Sequence, residues 1–280
     1  QMFTSLKKGL VGIAAVGALA FAASQAQAAN MVGINLSAGA NIKVGNVFEN
    51  QITNPGDPLG GYGEVAFVNG TTDFCAGGAP GSCELTFRFG GYSVKHISPT
   101  EVVFTGGWVN FYVDQTPDFQ IPGAASDAAA IAAATDGDLW LTLAGHTSAY
   151  PTSGFGAGTT GTLQGLGSIL GAVIAGFGSG LLDVDYTGAA NGNSAGAGAS
   201  ANAFFDTDSY SDLLGGTADV SLDTSFTSNN VPFTNCNGGP GCLQGSATVN
   251  ANIIPEPGTL SILGLGLLGL AAVRRRRQVA

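Results

Sequence analysis

Charge is scarce in this chain of 280 residues. Only 10% of them are Asp, Glu, Lys or Arg, against a usual share of about 25%. So few Lys and Glu do not build a helical bundle, and no heptad is present. Basic residues number nine, and six of them lie at the ends, as Lys7, Lys8 and Arg274 to Arg277. The body from Ala29 to Ile254 keeps three bases against 18 acids, a net charge of −15. A surface of that sign repels phosphate backbones, which excludes a nucleic-acid-binding role. Histidine occurs twice, as His96 and His146. No phosphate-binding loop, His-Glu-x-x-His or Cys-x-x-Cys occurs. Nothing in these patterns marks a catalytic centre, and no enzymatic activity is expected.

Glycine and phenylalanine are abundant instead. Gly supplies 45 residues and Phe 16. Apolar residues reach 45%, too many for a disordered chain. Several segments alternate apolar and polar residues. Glu84 to Phe89 places Leu85, Phe87 and Phe89 on one face. Trp108 to Asp114 does the same with Val109, Phe111 and Val113. Asp138 to Leu143 repeats it with Leu139, Leu141 and Leu143, and Ala218 to Asp223 alternates again. Period two with one polar face is the antiparallel strand pattern. Gly, Pro, Asn and Asp clusters such as Asn54 to Pro58 and Asn237 to Gly241 separate the runs. The expectation is an all-β fold over residues 29–254, one antiparallel β-sandwich or barrel-like jelly roll. One helix is expected at Ala124 to Ala134, where Ala dominates. The uncharged run Leu163 to Gly180 contains six glycines, too many for a membrane helix, and reads as strand or packed loop.

Both ends read as addresses. Lys7 and Lys8, the uncharged Leu10 to Ala23 and the small-residue site Ala26-Gln27-Ala28 form a secretory signal peptide over residues 1–28. Signal peptidase and the general secretion machinery are its partners. At the other end stand Pro255-Glu256-Pro257, an apolar stretch from Leu260 to Val273, and the block Arg274, Arg275, Arg276 and Arg277. The prolines prevent a helix continuing from the body. Thr259 to Val273 would reach only about 22 Å as a helix, against a hydrocarbon core of about 30 Å. The arginines behind it would stay cytoplasmic and act as a membrane stop.

This motif order, over residues 255–280, resembles the PEP-CTERM sorting signal of Gram-negative bacteria. The resemblance implies an exosortase, a membrane-embedded cysteine transpeptidase, as the processing partner. It also implies a transient inner-membrane anchor, followed by a place on the cell surface or in the extracellular matrix. Patches of the body are similar to the flocculation-associated members of that group. They are Phe74 to Gly78, Val109 to Asp114, Leu139 to His146, Gly180 to Val184 and Phe204 to Thr207. That likeness implies a role in biofilm adhesion together with exopolysaccharide, and it carries over no catalytic residue.

Four cysteines lie in the exported part, with three connectivities open to them. Proximity favours Cys75 with Cys83 and Cys236 with Cys242, and an oxidising compartment favours disulfides over thiols. Asp pairs at strand ends are the remaining candidates for a site: Asp136 with Asp138, Asp183 with Asp185, and Asp206, Asp208 and Asp212. Alternating carboxylates suit Ca2+, a hard cation that takes oxygen ligands. No other cofactor is expected. Two alternatives stay beside the adhesion reading. One is a carbohydrate-binding module, Ca2+-assisted, with Trp108, Trp140 or Tyr150 against sugar faces. The other is a secreted hydrolase, which a pair of close carboxylates would reveal.

Overall fold

The computed structural model describes residues 29–31, 33–36, 39–76, 81–121, 124–150, 159–187, 199–229 and 231–254. Its elements, in chain order, are β1 (Ala29–Met31), β2 (Ile34–Leu36), β3 (Gly39–Glu49), β4 (Pro58–Val68), β5 (Glu84–Ile97), β6 (Glu101–Asp114) and α1 (Asp127–Ala133). Then follow β7 (Asp138–His146), β8 (Ser148–Tyr150), β9 (Thr159–Gly161), β10 (Leu163–Ser168), β11 (Ala175–Val184) and α2 (Asn202–Phe205). β12 (Tyr210–Ser211), β13 (Thr217–Ala218), β14 (Val220–Thr227) and β15 (Leu243–Asn252) complete the body. The expected signal peptide, residues 1–28, and the tail from residue 255 onward lie outside the described residues. Among the described residues no helix is long and apolar enough to cross a membrane.

The antiparallel pairing expected from the alternation is present, but it forms one sheet that closes on itself. β3 pairs with β4, β4 with β5, β5 with β6 and β6 with β7. β7 pairs with β11, β11 with β14, β14 with β15, and β15 returns to β3. The result is a barrel-like antiparallel sheet rather than two sheets packed face to face, and the sandwich expectation is corrected accordingly. Alternation specifies an inner and an outer face, and both architectures satisfy it; closure is decided by the last pairing.

One barrel position is shared by two strands. β7 faces Trp108 to Val113 on β6, and β10 faces Glu101 to Phe104 further along the same strand. On the other side, His146 of β7 opposes Leu181 and Leu163 of β10 opposes the adjacent Gly180. The chain therefore leaves the wall after His146, makes the β8–β9 excursion, and re-enters one residue further along.

The interior is packed by the alternating residues. Leu85, Phe87, Phe111, Leu141 and Leu143 are buried, and Phe87 lies 5.7 Å from Phe111, centroid to centroid. Bulges reset the phase where the pattern would drift. In β3 the register shifts around Val44 and Asn46, so that Val44, Val47 and Glu49 all line the interior. In β7 the shift opposite Phe111 and Tyr112 leaves Leu139 only half-buried, where strict alternation placed it inside. Glycine serves steric fit at Gly63, where a Cβ would stand 2.7 Å from the Phe87 ring.

A second apolar cluster covers the barrel from outside. It joins Phe48, Tyr62, Phe119, Ala130 and Ala134 to the Cys236–Cys242 loop. Ser126 caps α1 by accepting from the Ala129 N–H. The helix is shorter than the Ala124 to Ala134 expectation because Ser126 offers its side chain as the cap. Asp127, in its first turn, accepts from the Tyr62 hydroxyl at 2.8 Å and from the amides of Asn237 and Gly238. Both disulfides join the neighbours in sequence, Cys75 to Cys83 and Cys236 to Cys242.

Glu49 is the exception in the interior. Together with Leu59, Leu163 and Thr224 it lines two small cavities, about 40 and 60 Å3. Burial alone raises its pKa from 4.5 to about 8. The folded chain thus holds this proton more tightly than the unfolded chain does. Its contribution makes stability fall as pH rises from 4.5 to about 8 and level off above. Glu49→Leu should remove that slope and raise stability by about 1–3 kcal/mol at pH 9. Urea unfolding of parent and variant across pH 5 to 9, compared at each pH, checks this; a constant difference would contradict it.

Candidate functional site

Asp206, Asp208 and Asp212 do not converge. The Tyr186 hydroxyl donates to Asp206 and the Thr217 hydroxyl to Asp208. Asp212 accepts from the amides of Leu214 and Gly216 and from a ring nitrogen of His146. All three organise the segment before β14. Asp219, which no spacing in the sequence singles out, holds that segment most directly. It is buried and accepts three amides, from Val184, Thr207 and Asp208. Asp185 is also local, accepting from the amide and hydroxyl of Thr187.

Carboxylates do converge elsewhere. One ligand atom each from Glu84, Asp114, Asp118 and Asp136 lies within 4.8 Å of the others. Glu84 begins β5 and Asp114 ends β6, and the two oppose each other in the ladder. Asp118 follows β6, and Asp136 follows α1. Glu84 is buried, and both its oxygens accept from the Phe119 amide. Burial pushes its pKa up to about 7, the Phe119 and Asp118 amides oppose that rise, and Glu64 and Asp114 add to it. Burial also raises Asp136, helped by Asp118 and Asp114. Four carboxylate oxygens are ligands of the kind Ca2+ takes, and supply part of the six to eight it needs. Of the expected acids only Asp136 belongs to this group; Asp138 stands exposed on β7. The other three come from separate segments, and no spacing in the sequence signals their meeting.

His146 is held between two carboxylates. Nδ1 lies 2.8 Å from Asp183 and Nε2 2.9 Å from Asp212. This arrangement pins the end of β7 to β11 and to the turn between β12 and β13. With both nitrogens so engaged, the ring has none left to activate a nucleophile. Burial disfavours the imidazolium, but the two carboxylates outweigh it and raise the His146 pKa. The sequence also carries a Gly-x-Ser-x-Gly spacing, Gly192-Asn193-Ser194-Ala195-Gly196, outside the described residues.

The aromatic residues proposed for sugar contact are mostly interior. Trp140 is buried against Phe205 of α2, 5.4 Å between centroids. Tyr150 is buried and Trp108 half-buried. The alternation that placed them on strands could not say that the segment around α2 covers the outside of β7, where the Ala201 amide donates to the Trp140 carbonyl.

A His pKa raised by folding contributes stability that is fully present below the unfolded value of 6.5 and is lost as pH rises through the folded value. His146→Gln should therefore cost most at pH 5.5 and least at pH 9. Thermal unfolding of parent and variant at both values checks this. An equal cost at both would show that the clamp does not depend on the imidazolium.

Residues 254–277 match the PEP-CTERM protein-sorting motif. The match takes in the sorting residues Pro255, Glu256, Pro257 and Arg274 to Arg277, and none of the barrel wall. No curated protein and no solved structure matches the chain. The motif implies export, processing at the membrane and an exosortase as the processing partner. An exported antiparallel β body followed by this motif makes the chain a PEP-CTERM domain-containing protein.

Proposed function

We propose that the chain is a non-enzymatic protein of the cell surface or extracellular matrix that supports flocculation and biofilm adhesion together with exopolysaccharide. The observation that carries this reading is the sorting motif at residues 254–277 behind an acidic, disulfide-bonded β body. The motif directs the body outward. Two disulfides suit an oxidising exterior. A barrel wall offers a broad, stiff surface, and many copies on one cell would turn weak contacts into firm adhesion through effective concentration. In this reading the membrane segment is a way-station.

The test is made in cells that produce the protein. Deleting the gene should reduce flocculation, and the parent gene should restore it. A version with Arg274 to Arg277 replaced by neutral residues should be retained poorly at the membrane and restore less, because the cationic stop is gone. Immunoblots of membrane and matrix fractions follow the protein. Undiminished flocculation in the deletion strain would overturn the adhesion role, and unchanged fractionation of the neutral variant would overturn the role of the arginines.

Ca2+ enters this reading as a bridge. A body at −15 repels an acidic polymer unless a cation lies between them. The Asp206, Asp208 and Asp212 set is replaced here by Glu84, Asp114, Asp118 and Asp136, which stand close enough to share an ion. Millimolar Ca2+ should raise the thermal midpoint of the parent by a few degrees, and Glu84→Gln with Asp136→Asn should abolish the rise. A parent midpoint indifferent to both Ca2+ and chelator would remove the cation from the account.

A further inference from the structure

Phe177 is the most exposed large apolar residue among the described ones, at 74%. It stands on the outer face of β11, between Gly176 and Gly178. Its same-face neighbours along the strand, Ala175 and Ser179, are both small. Across the ladder, Phe177 opposes Leu166 of β10 on one side and Ser225 of β14 on the other, and Ser225 opposes Ser246 of β15. Directly opposed residues share a face. The outer wall therefore carries a row of Leu166, Phe177, Ser225 and Ser246. From Phe177 to Ser246 the row crosses two strand spacings, roughly 10 Å.

A shallow groove of about 590 Å3 follows this row from Phe177 to Ser246. Its polar groups are Ser225, Thr227, Asn229, Gln244 and Ser246. The two serine hydroxyls are 2.9 Å apart, and the Gln244 amide donates to Asn46 at 2.9 Å. No residue lining the groove is charged. On a body with 18 acids and three bases, an uncharged groove is a place where an uncharged polymer meets no repulsion. Asp223, exposed two residues along the same face of β14, disfavours an anionic one.

We propose that this groove binds a strand of neutral polysaccharide. The Phe177 ring stacks on the apolar face of one sugar, and the hydroxyl and amide groups of Ser225, Ser246, Asn229 and Gln244 exchange hydrogen bonds with the hydroxyls of the next. The chemistry of the groove fits that ligand on both counts. A sugar ring presents C–H groups on its faces and hydroxyls at its rim, and the wall presents an aromatic face beside groups that both donate and accept. A second copy of this chain would be a poorer occupant. Its outer wall repels this one, and the apolar part of the row is only Leu166 and Phe177. The inference rests on the polysaccharide reading above and gives that reading a site on the wall, distinct from the carboxylate cluster. It also sets aside the buried aromatics Trp140 and Tyr150.

The experiment uses the full-length chain in mild detergent. Polysaccharide from cells that make the protein is split by anion exchange into neutral and acidic fractions. Each is immobilised, and binding is measured for the parent, Phe177→Ala, Phe177→Trp and Phe67→Ala, the last removing an exposed Phe on β4 outside the groove. The parent should bind the neutral fraction, with or without chelator. Phe177→Ala should weaken that binding by about tenfold or more, while Phe177→Trp and Phe67→Ala retain it. Thermal midpoints confirm that the variants fold, as expected for so exposed a side chain. Parent binding that survives Phe177→Ala would overturn the site and leave the polysaccharide reading standing. No parent binding to either fraction would overturn both. Binding confined to the acidic fraction and abolished by chelator would overturn the groove in favour of the cation bridge. A dimer in light scattering that Phe177→Ala dissociates, with no polysaccharide binding, would assign the row to a second copy of the chain.

Discussion

The structure depends on the ladder that β11 makes with two strands at once. Leu163 to Ser168 pair with one stretch of β11, and Leu143 to His146 pair with the next. Without those bonds β7, β10 and β11 would be open edges of a long sheet, each presenting unpaired amides and carbonyls. With them, the sheet closes and every barrel strand is flanked on both sides. Closure also fixes the interior volume. Phe87 and Phe111 fill it only because Gly63 offers no side chain opposite, and the one carboxyl admitted, Glu49, becomes a weak acid.

A second constraint is the shortage of bases. Eighteen acids share a body with three basic side chains, so carboxylates cannot be neutralised by ion pairs. Among the described residues the salt bridges are those of His146. Backbone amides take the place of Lys and Arg. Asp57 accepts from Thr53 and Asn54, Asp127 from Asn237 and Gly238, Asp212 from Leu214 and Gly216, and Asp219 from three amides. Each bond folds a loop onto the wall, and at Asp57 the Thr53 and Asn54 amides also hold the carboxyl below its ordinary pKa. The same economy leaves the carboxylates at Glu84 and Asp136 crowded, with raised pKa values, where two loops end together.

The strands were legible because period two survives in the sequence wherever one face is buried. Leu85, Phe87 and Phe89 on β5, and Val109, Phe111 and Val113 on β6, lie as their spacing indicates. Short cysteine spacing was equally informative, since six or eight residues leave little freedom in the partner. The closing pairing, which separates a barrel from a sandwich, was not legible. A jelly roll and a closed barrel share the same alternation, and the decisive contact joins residues 146 and 181 across a long excursion. Bulges were hidden too, which is why Leu139 leaves the interior. The candidate sites divide in the same way. The sorting tail is contiguous and could be read directly. The meeting of Glu84, Asp114, Asp118 and Asp136 and the exposure of Phe177 come from long-range packing, which local pattern does not encode.

The closed seam is what places His146 beside Asp183 and encloses Glu49 among apolar residues. Amide hydrogen exchange of β11, read residue by residue by NMR, tests it most directly. Closure predicts slow exchange throughout Gly176 to Leu182, comparable to β5 and β6, because partners stand on both sides of that stretch. Fast exchange at the amides of β11 that face β7 and β10, with protection kept only at those facing β14, would show an open edge and contradict the barrel.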